Sequence, residues 1–193
     1  MKREFQIEFL RSAGLRPEHY LLDIGCGTLR GGIPIIQYLE RGHYYGTEVR
    51  AEVLAEARKE LEEAGIDKDP TLVLSENVST LDLSRAFDFV WAYSVLIHLS
   101  DDVLRDVLRF ARAHLAEDGR FLANVNIDEQ RDGYWHQGFP VVWRPVPFYE
   151  QEAARAGLEV RDLGTVEALG FGSGHTDHDQ HHILEFKASG NAA

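Results

Sequence analysis

Two carboxylates and two glycines carry the first chemical signal. The apolar run Tyr20-Leu21-Leu22 ends on Asp23, and the chain passes through Ile24-Gly25-Cys26-Gly27-Thr28. A second run, Tyr44-Tyr45-Gly46-Thr47, ends on Glu48. Glycines one residue apart let a backbone lie close to a ligand, because no side chain stands between them. A carboxylate about 20 positions further on suits a ribose, whose hydroxyls donate to it. That pairing is the chemistry of a nucleoside cofactor. A dinucleotide loop has the form G-x-G-x-x-G, its third glycine packing helix against strand. Arg30 stands at that third position, and glycines return only at Gly31 and Gly32. Asp23 would also set a carboxylate against a pyrophosphate; it suits a cationic ligand better.

Other side chains can do chemistry. His98 is the best candidate for a general base, since imidazole titrates near neutrality; a histidine that only packs and holds its loop is the alternative. Cys26 has no cation beside it in sequence to lower its pKa, so it is not read as a nucleophile. The segment 170–182 gathers His175, Asp177, His178, Asp179, His181 and His182. Histidine and aspartate are ordinary zinc ligands, but a glycine-flanked loop holds them in no rigid frame. No metal is expected there; a polar hairpin at the rim of a substrate pocket is, with His175 on it. Tyr134, Trp135, His136, Phe139 and Trp143 crowd another stretch. They offer large apolar contact with polar tips, and packing of an irregular loop would use them equally well.

These residues need a frame. Phe5, Ile7, Phe9 and Leu10 predict a helix within residues 1–14, closed by Gly14. Residues 19–24 form a strand apolar enough to be buried on both faces. Ile33, Ile35, Ile36 and Leu39 predict a helix after the glycine loop, and Pro34 places its start near residues 31–34. Residues 43–48 are the second strand and 50–64 a helix stopped by Gly65. Strands follow over 71–75 and 87–93. A helix capped at Ser100 or Asp101 comes next, and a turn at Asp118-Gly119 leads into a fifth strand, 120–126. A helix near 147–156 precedes two strands, 158–163 and 181–187, with no helical pattern between them, so they are expected to pair antiparallel. Alternating strands and helices predict an α/β fold, a doubly wound and mostly parallel sheet. Its ligands sit beyond the carboxyl ends of the strands, which singles out residues 23–28, 48, 75–78, 93–98 and 124–128. The expected organisation is one domain over 1–187, with loops 128–146 and 164–180 on the substrate side and a flexible tail over 188–193.

Composition narrows the partners. A chain of 193 residues suits one domain that buries roughly 70% of its unfolded surface. With 32 acidic and 20 basic residues the formal charge is −12, and no Lys/Arg run interrupts it, so nucleic acid is not an expected partner. One cysteine permits no disulfide within the chain. Residues 1–5 pass straight into an amphipathic pattern without the apolar core of a leader peptide. No apolar run approaches the roughly 18 residues that span a bilayer, and a soluble, cytoplasmic protein is expected.

In these motifs the chain resembles the class I S-adenosylmethionine-dependent methyltransferases. Their first motif, acid-x-Gly-x-Gly, is met by Asp23, Gly25 and Gly27, with Leu29 where the family often has a small residue. Phe87-Asp88-Phe89-Val90, running on through Tyr93 and Ser94 to His98, is similar to the family's fourth-strand motif. The antiparallel closing pair also matches, and implies a seven-stranded sheet with an antiparallel last strand. The resemblance implies S-adenosyl-L-methionine as cofactor. It implies backbone contacts from Gly25, Cys26 and Gly27, Asp23 near the α-amino group, Glu48 at the ribose hydroxyls, and a cofactor contact from its neighbour Val49. Glu76, Asn77 and Val78 would flank the adenine, where an ordinary polar turn is the alternative, and Tyr93 and Ser94 would line cofactor and substrate. Such enzymes commonly build a substrate lid after the fifth strand, which implies substrate contacts for Tyr134, Trp135, His136 and Trp143.

Ala92-Tyr93-Ser94 replaces the Asn/Asp-Pro-Pro-aromatic motif of enzymes that methylate exocyclic nitrogens, and Cys26 is no nucleophile for pyrimidine C5. The acceptor implied is a small molecule, a sugar or secondary metabolite, methylated on oxygen or nitrogen by in-line displacement. The protein's part is to align the reactants and exclude water. Two other classes stay in view: an NAD(P)-dependent oxidoreductase, and a non-catalytic protein that binds S-adenosylmethionine as partner or sensor.

Overall fold

A computed structural model describes residues 4–129, 134–136, 139–172 and 176–190, by backbone alone at 134–136, 139, 176 and 177. Helix α1 (Glu4–Ser12) precedes β1 (Leu21–Ile24), and α2 (Gly32–Tyr38), β2 (Tyr44–Glu48), α3 (Ala51–Glu63) and β3 (Thr71–Leu74) continue the alternation. Then come β4 (Phe87–Ala92), α4 (Asp101–His114), β5 (Leu115–Val125), and a small hairpin of β6 (Tyr134–His136) and β7 (Phe139–Val141). Helix α5 (Val146–Arg155), β8 (Leu158–Thr165), the four-residue α6 (Thr176–Asp179) and β9 (His182–Ala188) complete the order. Short 3-10 turns follow β3 at Val78–Thr80 and β4 at Leu96–His98.

Seven strands make one sheet in the order β3-β2-β1-β4-β5-β9-β8. β1 to β5 run parallel, whereas β9 is antiparallel to both β5 and β8. A parallel return needs a crossover that runs the length of the sheet. Among the described residues between β8 and β9 the only helix is the four-residue α6, and β9 comes back antiparallel. The sheet is the doubly wound, mostly parallel one with an antiparallel last strand.

Both faces are covered because successive strand residues point to opposite sides. Leu22, Val90, Phe121 and Leu184 join Leu104 and Leu108 of α4 and Tyr149 of α5 in one core. Leu21, Trp91 and Leu122 join Leu10 of α1, Ile35 and Ile36 of α2 and Ala57 of α3 in the other. Asp23 falls in step with Leu21, on the face that α1 and α2 cover.

Two boundaries differ from those expected. β5 starts at Leu115, so Asp118-Gly119 is an irregularity within it and not a turn before it. Pairing with β4 jumps from Phe87–Leu115 to Phe89–Arg120. Gly119 sits so close to β4 that a Cβ there would stand 2.8 Å from the Phe87 carbonyl oxygen, which is why the chain can fold over at that point without leaving the sheet. The loop 128–146 contains the β6–β7 hairpin. Among the described residues, no helix is long and apolar enough to cross a membrane, and no three His, Cys, Asp or Glu side chains are placed to hold a metal ion.

Candidate functional site

The chain builds outward from β1 to β2 and β3, then crosses to β4 on the other side. Strand order therefore reverses between β1 and β4, the place where open α/β sheets bind their ligands. A cleft of about 660 Å³ opens there, within the ~300–1,000 Å³ of small-molecule sites. It brings together Asp23, Gly25, Cys26, Gly27 and Glu48 from the ends of β1 and β2 with Tyr93 and Ser94 from the end of β4.

Gly25 has φ +70°, and a Cβ on it would stand 2.6 Å from Val95 Cγ2. Glycine is needed there for conformation and for room. Gly27 has φ +56° but meets nothing within 4 Å, so a side chain there would project into open space. Asp23 is buried and accepts a hydrogen bond from the Tyr44 hydroxyl at 2.5 Å. Burial pushes its carboxyl up to about 7, Tyr44 opposes that rise, and the like charge of Glu48 adds to it. Glu48 is buried too, and its Oε1 accepts from the Val49 and Arg50 backbone N–H groups at 2.9 and 3.0 Å and from Arg50 Nε at 3.4 Å. The start of α3 thus clamps one carboxylate oxygen and sets the direction of the other. Burial pushes the Cys26 thiol well up, with Asp23 and Glu48 adding to the effect, so it stays protonated and non-nucleophilic.

At the end of β4, Ser94 holds φ +58°, a conformation that costs a residue with a Cβ energy. Its N–H donates to Asn124 Oδ1 at 2.5 Å, and Asn124 is fully buried. With Oδ1 used as acceptor, Asn124 Nδ2 must donate to His181 Nδ1, 2.7 Å away, which places the His181 proton on Nε2. Burial, with the Asp179 charge second, pushes the Tyr93 phenol up to about 12.

Several expected residues stand outside the cleft's lining. Val49 is 53% exposed and contributes its N–H to Glu48. Glu76 is exposed, and Asn77 caps the Val78–Thr80 turn, its Oδ1 accepting from the Ser79 N–H at 2.9 Å and the Ser79 hydroxyl at 2.7 Å. His98 donates from Nδ1 to the Pro140 carbonyl at 2.7 Å, tying the turn after β4 to β7. Trp143 is half-buried and is not among the residues that line the cleft. The side chains of Tyr134, Trp135 and His136, and all of His175, lie outside the described residues.

The cleft also has walls that no motif marked, Phe5 and Gln6 of α1, and Arg30 of the loop lines it too. Phe171, His178 and Asp179, from the segment 170–182 expected at the rim of a substrate pocket, complete the lining. Gln6 is drawn in because its Oε1 accepts from Trp91 Nε1 at 2.9 Å, and Phe5 stands edge-on to Tyr93 at 5.0 Å. The apolar spacing of α1 revealed a helix with a buried face. Nothing in that spacing says which part of the sheet it covers.

Residues 22–121, from β1 into β5, match the protein family described as "Methyltransferase domain". The chain belongs to that family. This methyltransferase shares its fold with solved structures of low sequence identity. One is an S-adenosylmethionine-dependent methyltransferase from Clostridium acetobutylicum ATCC 824, at TM-score 0.73 and 14% identity, covering 97% of this chain and 91% of that one. Another is magnesium protoporphyrin IX methyltransferase from Synechocystis PCC 6803 with bound S-adenosylmethionine, at 0.70 and 18%, covering 95% and 76%. A third is the glycopeptide N-methyltransferase MtfA, at 0.73 and 20%, covering 95% and 88%. A search of curated proteins found none that matches.

The cofactor of this methyltransferase is S-adenosyl-L-methionine, and the cleft fits it. Two buried carboxylates suit a ligand with a positive sulfur and a positive ammonium, and would repel a pyrophosphate. Open space at Gly27 lets a ligand lie against the loop backbone.

Proposed function

We propose that this methyltransferase transfers the methyl group of S-adenosylmethionine to an oxygen or nitrogen of a small molecule. The observation that carries the proposal is the one cleft in which Asp23, the two-glycine loop and Glu48 face aromatic and polar side chains from α1, β4 and the β8–β9 connection. In this reading the loop backbone from Gly25 to Gly27 lies against the cofactor, Asp23 takes its α-ammonium, and Glu48 accepts from its ribose hydroxyls. Arg30 and Gln6 offer donors suited to the cofactor's carboxylate. Bound there, the cofactor supplies an electrophilic methyl group on positive sulfur. The chain's own part is to orient the acceptor and keep water out, so strong acid–base machinery is not required.

The acceptor meets Phe5, Tyr93, Phe171 and His178, which suits a ring-bearing or partly apolar molecule. Net charge −12 and the absence of a Lys/Arg run support a non-nucleic-acid acceptor. One domain over residues 1–187, working in the cytoplasm, is the organisation that goes with this reading.

Titration with S-adenosylmethionine, S-adenosylhomocysteine and NAD(P), followed by incubation with labelled S-adenosylmethionine and a metabolite extract, tests it. The expected result is binding of the first two ligands only and label in a small-molecule fraction. Tight NAD(P) binding without S-adenosylhomocysteine binding would restore the oxidoreductase, and binding without any transfer would favour the sensor.

His98 has a separate test. Because its Nδ1 is spent on Pro140 and it stands outside the lining, His98→Ala is expected to lower stability by about 1–2 kcal/mol. Turnover should fall less than about tenfold. A loss of about 100-fold at unchanged cofactor affinity would make it the general base.

A further inference from the structure

We propose that Tyr44 is a positioning residue that acts through Asp23, so that cofactor binding expels a proton from the cleft. The inference rests on the reading above, in which Asp23 faces the cofactor's ammonium.

The geometry is specific. Tyr44 is 1% exposed, and its hydroxyl reaches from β2 under the glycine loop to Asp23 Oδ2 at 2.5 Å. Gly32, at the start of α2, makes room for it: a Cβ on Gly32 would stand 2.6 Å from the Tyr44 hydroxyl oxygen. The phenol fills the space that Gly32 leaves, and the carboxylate it touches lines the cleft. A hydroxyl that donates to a carboxylate stabilises the charged form; burial in the same place opposes it. Burial is the larger influence on Asp23 and pushes its carboxyl up to about 7.

The titratable and charged groups that share the cleft are Glu48 at the end of β2, Cys26 in the loop, Tyr93 beyond β4, the guanidinium groups of Arg30 and Arg50, and His178 and Asp179 of the β8–β9 connection. Across the sheet Asp23 pairs with Gly46 and Trp91, which do not titrate. The Cys26 thiol and the Tyr93 phenol are held protonated above the working range, and Tyr44 itself is pushed up by burial and by Asp23. Among these groups Asp23 is the carboxyl that burial brings up to about 7.

The sign follows. An ammonium ligand favours the carboxylate, so a protonated Asp23 must give its proton to solvent when the ligand enters. Affinity therefore rises with pH up to the Asp23 midpoint and levels off above it. Removing the Tyr44 hydroxyl removes a stabiliser of the charged form and moves that midpoint upward, by about one to two pH units for a hydrogen bond to a charged group.

The experiment compares the wild-type protein, Tyr44→Phe and Asp23→Asn by titration with S-adenosylhomocysteine from about pH 6 to about pH 9. In the ratio of two dissociation constants the ligand's own titration cancels. For Tyr44→Phe over wild type the ratio is expected to be about tenfold or more near pH 6 and to fall toward one near pH 9. A tyrosine with a merely structural role gives a ratio that does not change with pH, and that result would overturn the inference. Asp23→Asn should bind more weakly above neutrality and lose the pH dependence that wild type shows. If it does while Tyr44→Phe shows a flat ratio, Tyr44 fails and the reading of Asp23 survives. Should Asp23→Asn bind like wild type at every pH, both fail. Calorimetry of the wild type near pH 6 in buffers of different ionisation enthalpy needs no variant: release of close to one proton supports the inference, and none refutes it.

Discussion

Alanine in place of Glu48 is expected to weaken S-adenosylmethionine binding by about 1.5–3 kcal/mol, roughly a 10- to 150-fold rise in the dissociation constant. The size follows from what the side chain does. Its Oε1 takes the N–H groups of Val49 and Arg50, so the carboxylate is locked before any ligand arrives and loses little freedom on binding. A ribose hydroxyl that donates to it makes a charge-assisted hydrogen bond in a buried place. Glu48→Gln keeps an oxygen for one of those roles and should lose less than Glu48→Ala. Equilibrium dialysis or calorimetry decides the matter, with a melting curve to show that the variant is folded. Unchanged affinity in a folded Glu48→Ala protein would take Glu48 out of the site.

The two loop glycines should fail in different ways. Gly25→Ala forces an L side chain into a positive φ and drives its Cβ to 2.6 Å from Val95 Cγ2. The conformational cost is about 1–2 kcal/mol and the overpacking about 1–3 kcal/mol, so the loop must move or the protein lose stability. The expected result is a melting temperature lowered by several degrees together with a cofactor affinity reduced tenfold or more. Gly27→Ala carries only the conformational cost, because nothing lies within 4 Å of the added carbon. In the proposed binding mode that carbon occupies space the ligand takes, so affinity should fall strongly while the melting temperature falls little. Measuring both quantities on both variants separates the two roles. Equal losses of stability, with Gly27→Ala binding like wild type, would mean that the cofactor does not pass over Gly27.

Parts of the site were legible because they are local in the chain. Asp23, Gly25 and Gly27 fall within one strand end and its loop, and Glu48 closes the next strand. Their spacing and the rule for open α/β sheets are enough to bring them to one place. The antiparallel return of β9 was legible for a similar reason, since a connection without a long helix cannot carry a strand back in parallel. His98 shows the limit of such arguments. It stands at a strand end, where the rule ranks it as a candidate, yet its ring turns to the Pro140 carbonyl. That partner lies 42 positions away, and no local pattern announces it. Asn77 is similar: a polar residue beyond β3 suits an adenine neighbour, but its side chain is used to cap its own turn.

Sequence alone determined the alternation of strands and helices, the family and the place of the two-glycine loop, because periodicity and short motifs are properties of consecutive residues. Tertiary structure alone decided which side chains meet across the cleft. Gln6 reaches it through Trp91, 85 positions away, and Asn124 pins a strained Ser94 from a neighbouring strand. Tyr44 finds Asp23 only because β2 lies beside β1 and Gly32 leaves it room. Each depends on packing between elements distant in sequence. The protonation of Asp23 depends on it too, since burial is a property of the assembled fold and not of the residue.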